Sequence, residues 1–268
     1  IELLIGSKFF EAFLTFRYEL GSLYFFWIFA KLFSPFTSFY LIGIISLFVK
    51  YYLFKKYLNY PLIAHFLYVI TFAHILDGNQ IRAALAACVI FYAIFASPES
   101  RFTYIWLFLL AILFHYSGIV ILFLYFVRWP IIPILGILFG GLVFDSIIMS
   151  SDYFSFAKIW LSDLRGQVNL TNSFFIMQIL IMIVCALTWK SLNEAQKRGA
   201  LLNMIGVVVY ISFLDNPIVA HRIRELSQLG IFSILFFGAP RLTLVKLITS
   251  VCFGYIIGYN LFLIYLEL

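Results

Sequence analysis

The sequence predicts an all-α, polytopic transmembrane helical bundle with broken or re-entrant helices and an outward-facing membrane cavity. Three observations carry that expectation. Only 11% of the 268 residues are charged, against 64% hydrophobic and 21% aromatic, whereas soluble domains carry about 25% charged residues. So few charges cannot cover a water-exposed surface. Long apolar runs recur from end to end, several near the roughly 20 residues a helix needs to cross the hydrocarbon core. The runs are continuous rather than alternating apolar and polar, which favours helices over a closed barrel, the other way to satisfy the backbone in lipid.

Apolar runs read against their polar breaks give a short helix at about 20–33 and spans near 36–52, 61–76 and 80–96. Further spans follow near 131–149, 172–189, 200–214, 217–237 and 244–266. Residues 1–268 read as one integral membrane domain. The chain begins at Ile1, and only 19 residues precede the first clear run, which leaves room for a further upstream span; no cleavable signal peptide is expected. Cys88, Cys185 and Cys252 fall inside apolar runs without zinc-type spacing and read as packing residues.

The run from Phe102 to Val127 is 26 residues long, but its middle reads Phe114-His115-Tyr116-Ser117-Gly118, a polar break in an apolar stretch. Counting it as one crossing or two reverses the side of every later loop, so the positive-inside rule can arbitrate. If the chain turns back at His115, ten Lys and Arg residues fall inside (Lys50, Lys55, Lys56, Arg101, Arg128, Lys190, Lys197, Arg198, Arg241, Lys246) and five outside. A single crossing leaves eight against seven. The broken version is the better separated, and each half-helix is then too short for a full span, so the turn is expected to be sheltered by protein.

That topology sends Asp77, Asn79, Gln80, Arg82, His115, Ser117, Asp215, Asn216, His221, Arg222, Arg224 and Glu225 to the outer face. Ionisable groups at membrane depth are costly and line cavities or pathways; an arginine-rich cavity suits an anion. Asn79 is placed to cap a helix whose first turn holds Arg82, and Asn216-Pro217 forms a second helix start just ahead of His221 and Arg222. Both starts favour anions. An arginine at a helix end is more often an interfacial anchor. Arg82 differs, because residues 83, 84, 86 and 87 are all alanine, and small residues bring neighbouring helices close. His221, Arg224 and Gln228 share one helical face while Arg222 points elsewhere. Asp77 and Asp215 stand as isolated carboxylates, so metal-independent chemistry without a cofactor is expected. Glu194, Lys197 and Arg198 read as a cytoplasmic loop, and Asp152, Asp163 and Arg165 as solvated residues of a long loop.

The order Arg17-Tyr18-Glu19-Leu20-Gly21, then Asn79-Gln80-Ile81-Arg82-Ala83-Ala84-Leu85-Ala86, then Phe114-His115-Tyr116-Ser117, resembles the EpsG family of polysaccharide polymerases, relatives in role of the Wzy O-antigen polymerases. The match in motif runs from about residue 17 to 128 and continues more weakly through Arg222 and Arg224. It departs from the family pattern in placing Leu20 between Glu19 and Gly21. What the resemblance implies is en bloc glycosyl transfer at the outer face of the bacterial plasma membrane. A growing glycan leaves its undecaprenyl diphosphate carrier for a hydroxyl of an incoming lipid-linked repeat unit. Arg82, Arg222 and Arg224, with Asn79, Gln80, Arg17, Glu19 and Ser117, would then bind diphosphate and sugar, and His115, His221 or Glu225 would take the acceptor's proton. The implied partners are lipid-linked glycans, membrane lipids and a chain-length regulator protein, with no nucleic acid. A membrane O-acyltransferase and a lipid-linked oligosaccharide flippase are the competing expectations. Against them stand the arginine-bearing helix starts and the absence of a convincing internal repeat.

Overall fold

The computed structural model describes residues 20–79, 81–96, 100–148, 170, 173–214, 217–238 and 243–267, and among these it contains helices and connecting turns but no strand. Arg17, Glu19, Gln80, Asp152, Asp163, Arg165, Asp215, Asn216 and Arg241 lie outside the described residues. Packing divides the chain into two compact units, Ile1–Ile121 and Leu122–Leu268.

The first unit opens with α1 (Leu20–Leu32) and α2 (Pro35–Tyr57). Ser34 starts α2 by accepting from the Thr37 N–H at 3.1 Å, Pro35 suits the first turn, and Lys55 and Lys56 oppose the dipole at the last turn. The helix thus runs five residues past the expected end at 52. Phe36–Tyr57 is the one stretch among the described residues long and apolar enough to cross a membrane; the other apolar runs form shorter helices. The expected span at 61–76 is α-helical only as α3 (Pro61–Tyr68) and continues as a π-helix, Val69–Asn79. π-helical turns are rare and gather at functional sites. The next helix, α4 (Ile81–Phe95), is the centre of this unit and packs against α2, the π-helix and α5 (Arg101–Phe114). Ala83, Ala84, Ala86 and Ala87 are all buried, so the alanine-rich turn faces protein, as the sequence predicts.

The break at His115 is present. The last turn of α5 ends there, His115 is extended at φ −160°, and a 3-10 turn, Tyr116–Ile119, leads into the short α6 (Val120–Leu124).

The second unit is built around α9 (Glu194–Ser212), which is buried almost throughout and packs against α7 (Ile131–Ile148), α8 (Ser173–Leu187), α10 (Pro217–Ser227) and α11 (Gly230–Phe236). The C-terminal α12 (Leu244–Glu267) lies on α8 and α11. Two expectations are corrected here. Glu194, Lys197 and Arg198 are not a loop but the first turns of α9, because Asn193 and Gln196 form a capping box (2.9 and 3.2 Å) that starts the helix six residues early. Arg198 is buried in that helix. The expected span at 217–237 is two helices, parted at Gln228–Leu229.

Close backbone approach explains the tight packing of α9. A Cβ on Gly206 would lie 2.6 Å from Ser227 Cβ, and Gly199 and Gly230 pack backbone to backbone with no room for a side chain on either. In lipid such small-residue contacts supply the packing that the hydrophobic effect cannot.

The distribution of polarity is the reverse of a soluble protein's. Phe48, Leu62, Phe66, Trp106, Phe139 and Leu187 are exposed, whereas Lys50, Asp77, Gln178, Asn203, Arg224 and Gln228 are buried. An apolar outside with polar groups held inside is what a hydrocarbon solvent selects.

Candidate functional site

Each unit carries its own polar cluster. In the first, Lys50 and Asp77 form an ion pair at 2.6 Å with side chains 0% and 4% exposed. Tyr68 donates to the other carboxylate oxygen at 2.6 Å, and the Lys50 ammonium donates to Ser46 Oγ at 2.7 Å while lying 4.9 Å from the Tyr68 ring centre. Ser46 Oγ in turn donates to the Ala84 carbonyl at 3.2 Å. Two expectations are overturned. Asp77 is not an isolated carboxylate, and Lys50 is not a loop residue. The reason is geometric: α2 continues to Tyr57, which leaves Lys50 two turns inside the helix, and a buried ammonium must find a counter-ion.

The Lys50–Asp77 pairing was missed because each residue stands at the edge of an apolar run, where a charge reads as a loop. The basic pair at 55 and 56 is the signal that could have found it, since it suits a helix C-terminus and so moves Lys50 inward.

Arg82 lies in the first turn of α4, half-buried. Asn79 is the final residue of the π-helix, and the position directly ahead of Ile81 is Gln80, outside the described residues. His115 caps the 3-10 turn. Its Nδ1 accepts from the Ser117 N–H at 3.1 Å, and its carbonyl accepts from the Gly118 N–H at 2.8 Å. Because the Nδ1 lone pair is occupied, the neutral ring carries its proton on Nε2. His115 is therefore not an open base at Nδ1. Ser117 is buried beside it. The break is braced from α1, where Ser22 Oγ donates to the Phe114 carbonyl and a Cβ on Gly21 would meet the Leu113 carbonyl at 2.7 Å. Glycine at 21 thus permits the contact that holds this turn. The 3-10 turn packs on α4, the helix that starts beside Arg82.

In the second unit α10 begins at Pro217, the position expected for it. Arg224 is 8% exposed and its guanidinium carbon sits 4.4 Å from the centre of the Tyr210 ring. His221 meets the same ring edge-on at 5.2 Å. Gln228 is buried on the same face, one turn beyond Arg224. Arg222 points elsewhere, as its register requires, and pairs with Glu225 at 3.6 Å, both partly exposed. The two arginines thus have separate surroundings. Gly206 makes the first possible, since its bare Cα lets α10 approach until Arg224 Cα is 3.5 Å from where a Cβ would stand.

Further amides on neighbouring helices are buried. Asn203 of α9 donates to the Gln178 backbone carbonyl of α8 at 3.2 Å, and the Gln178 side-chain amide makes no hydrogen bond among the described residues. Neither is marked in the sequence, because single amides in apolar runs carry no pattern.

A helical protein with an apolar exterior and buried polar groups of this kind belongs to the class of integral membrane proteins. More particularly, the chain matches the EpsG family model over residues 4–267. It belongs to the EpsG family, a polysaccharide-polymerase-like family of membrane proteins. No curated protein and no solved structure matches it.

Proposed function

We propose that the chain is a multi-pass plasma-membrane glycosyltransferase that joins undecaprenyl-diphosphate-linked repeat units en bloc at the outer face, without a metal. The observation that carries this reading is Arg224, a guanidinium buried in a lipid-facing bundle and stacked on Tyr210. A permanent cation at such depth is costly. An anion that arrives with its own lipid tail explains both the charge and its depth, and the planar fork of arginine suits phosphate oxygens.

In the transfer, the acceptor sugar's hydroxyl oxygen bonds to the anomeric carbon of the growing glycan as the bond from that carbon to the diphosphate oxygen breaks. The leaving oxygen takes the bonding pair, and the Arg224 guanidinium stabilises its charge; Arg82, in the other unit, is read as a further ligand of lipid diphosphate. The hydroxyl proton goes to a base. His221, on the Arg224 face of α10, is the better placed residue, because His115 already spends Nδ1 on its own turn and can act on a sugar oxygen only through Nε2–H. Glu225 is committed to Arg222.

Glycan length in a deletion strain tests the reading. Single repeat units on the acceptor indicate a lost polymerase. No units at all would indicate a flippase, and unacylated long chains an acyltransferase.

A further inference from the structure

We propose that Lys50 and Asp77 are positioning residues for Arg82, a claim that rests on the reading of Arg82 as a ligand of the lipid diphosphate. The chain between Asp77 and Ala84 is gripped at both ends by one short stretch of α2. Lys50 holds Asp77 at 2.6 Å, and Ser46, one turn earlier, takes a hydrogen from Lys50 and gives its own to the Ala84 carbonyl. Tyr68 secures the remaining Asp77 oxygen. Arg82 lies inside this clamp, five residues after one anchor and two before the other.

The energetics point to placement rather than stability. A buried ion pair rarely gains more than apolar side chains of the same volume would, while breaking one partner leaves a stranded charge. A pair retained at the junction of a π-helix and an α-helix is instead suited to fixing where that junction sits. The clamp also accounts for the neutrality of this cluster. Its own charge is cancelled internally, between Lys50 and Asp77.

The test uses the full chain in nanodiscs, with farnesyl diphosphate as the binding probe and the unfolding temperature measured in parallel. Lys50→Met and Asp77→Asn each lower the unfolding temperature and weaken binding. The double variant Lys50→Met/Asp77→Leu removes both charges; it recovers the unfolding temperature but still binds about tenfold or more weakly, the scale on which a small misplacement is felt. In an Arg82→Ala background the same double change costs no further affinity, because the clamp acts through Arg82. If the charged single variants do not accumulate, Tyr68→Phe removes only one hydrogen bond to Asp77 and weakens binding about threefold to tenfold. Recovery of binding together with stability in the double variant, additive losses with Arg82→Ala, or unchanged binding in Tyr68→Phe would each overturn the proposal. Failure of the wild-type chain to bind farnesyl diphosphate is a different result: it removes the diphosphate reading itself, and the positioning role falls with it.

Discussion

The two units bury charge in opposite ways. In the first, Lys50 meets Asp77 at 2.6 Å, with Tyr68 and Ser46 completing the shell. In the second, the Arg224 guanidinium rests on the face of Tyr210, while Arg222 and Glu225 pair at a partly exposed position of the same helix. A cancelled charge shapes the fold around it; a guanidinium seated on an aromatic face is held as a flat fork of the kind that suits phosphate oxygens. On the proposed reading the Lys50 cluster frames and the Arg224 cluster binds, although both consist of ionisable groups inside a bundle.

The largest effect on stability is expected where the cancelled pair is broken. Asp77→Leu leaves Lys50 buried without its counter-ion and should cost about 3–5 kcal/mol, read as a fall in unfolding temperature or in the amount of folded membrane protein. Removing both charges should recover most of that. If the single and double variants are equally unstable, the cluster is not a simple ion pair.

Overpacking at Gly206 tests the other side. Gly206→Leu pushes α10 away from α9 and should cost about 1–3 kcal/mol, and because Arg224 and Ser227 face that glycine, it should also displace the Arg224 guanidinium from Tyr210. Loss of stability with unchanged diphosphate binding would separate the helix contact from the site.

His115→Asn is milder for the fold. The Asn side chain can accept from the Ser117 N–H as His115 Nδ1 does, so unfolding should change by less than about 1 kcal/mol. Polymer length then reports whether Nε2–H is used. A full-length ladder reduces His115 to a turn cap; short products keep it as the group that orients the sugar. The smallest change belongs to the Arg222–Glu225 pair. It is partly exposed, and Glu225→Gln should alter stability by only about 0–1 kcal/mol.

Features that depend on local contrast were legible in the sequence. A histidine and serine inside 26 apolar residues mark the break at 115, four alanines after Arg82 mark a buried turn, and Pro217 marks a helix start. Features that depend on a partner far along the chain were not. Lys50 and Asp77 are 27 residues apart, and neither predicts the other until α2 is extended to Tyr57. The start of α9 lay between these cases. Its charged first turns imitate a loop, yet the Asn193-x-x-Gln196 spacing is a readable cap. The separate settings of Arg222 and Arg224 followed from register alone, whereas the Tyr210 face beneath Arg224 required the packing of α10 on α9.

The most direct measurement is the glycan ladder of a chromosomal Arg224→Ala strain beside an Arg222→Ala strain, with the amount of membrane-inserted protein checked in each. The account predicts that Arg224→Ala accumulates acceptor bearing single repeat units, a loss of a hundredfold or more (about 2.7–4 kcal/mol for one removed donor in comparable sites), while Arg222→Ala still makes polymer. A full-length ladder from stable Arg224→Ala protein would contradict it.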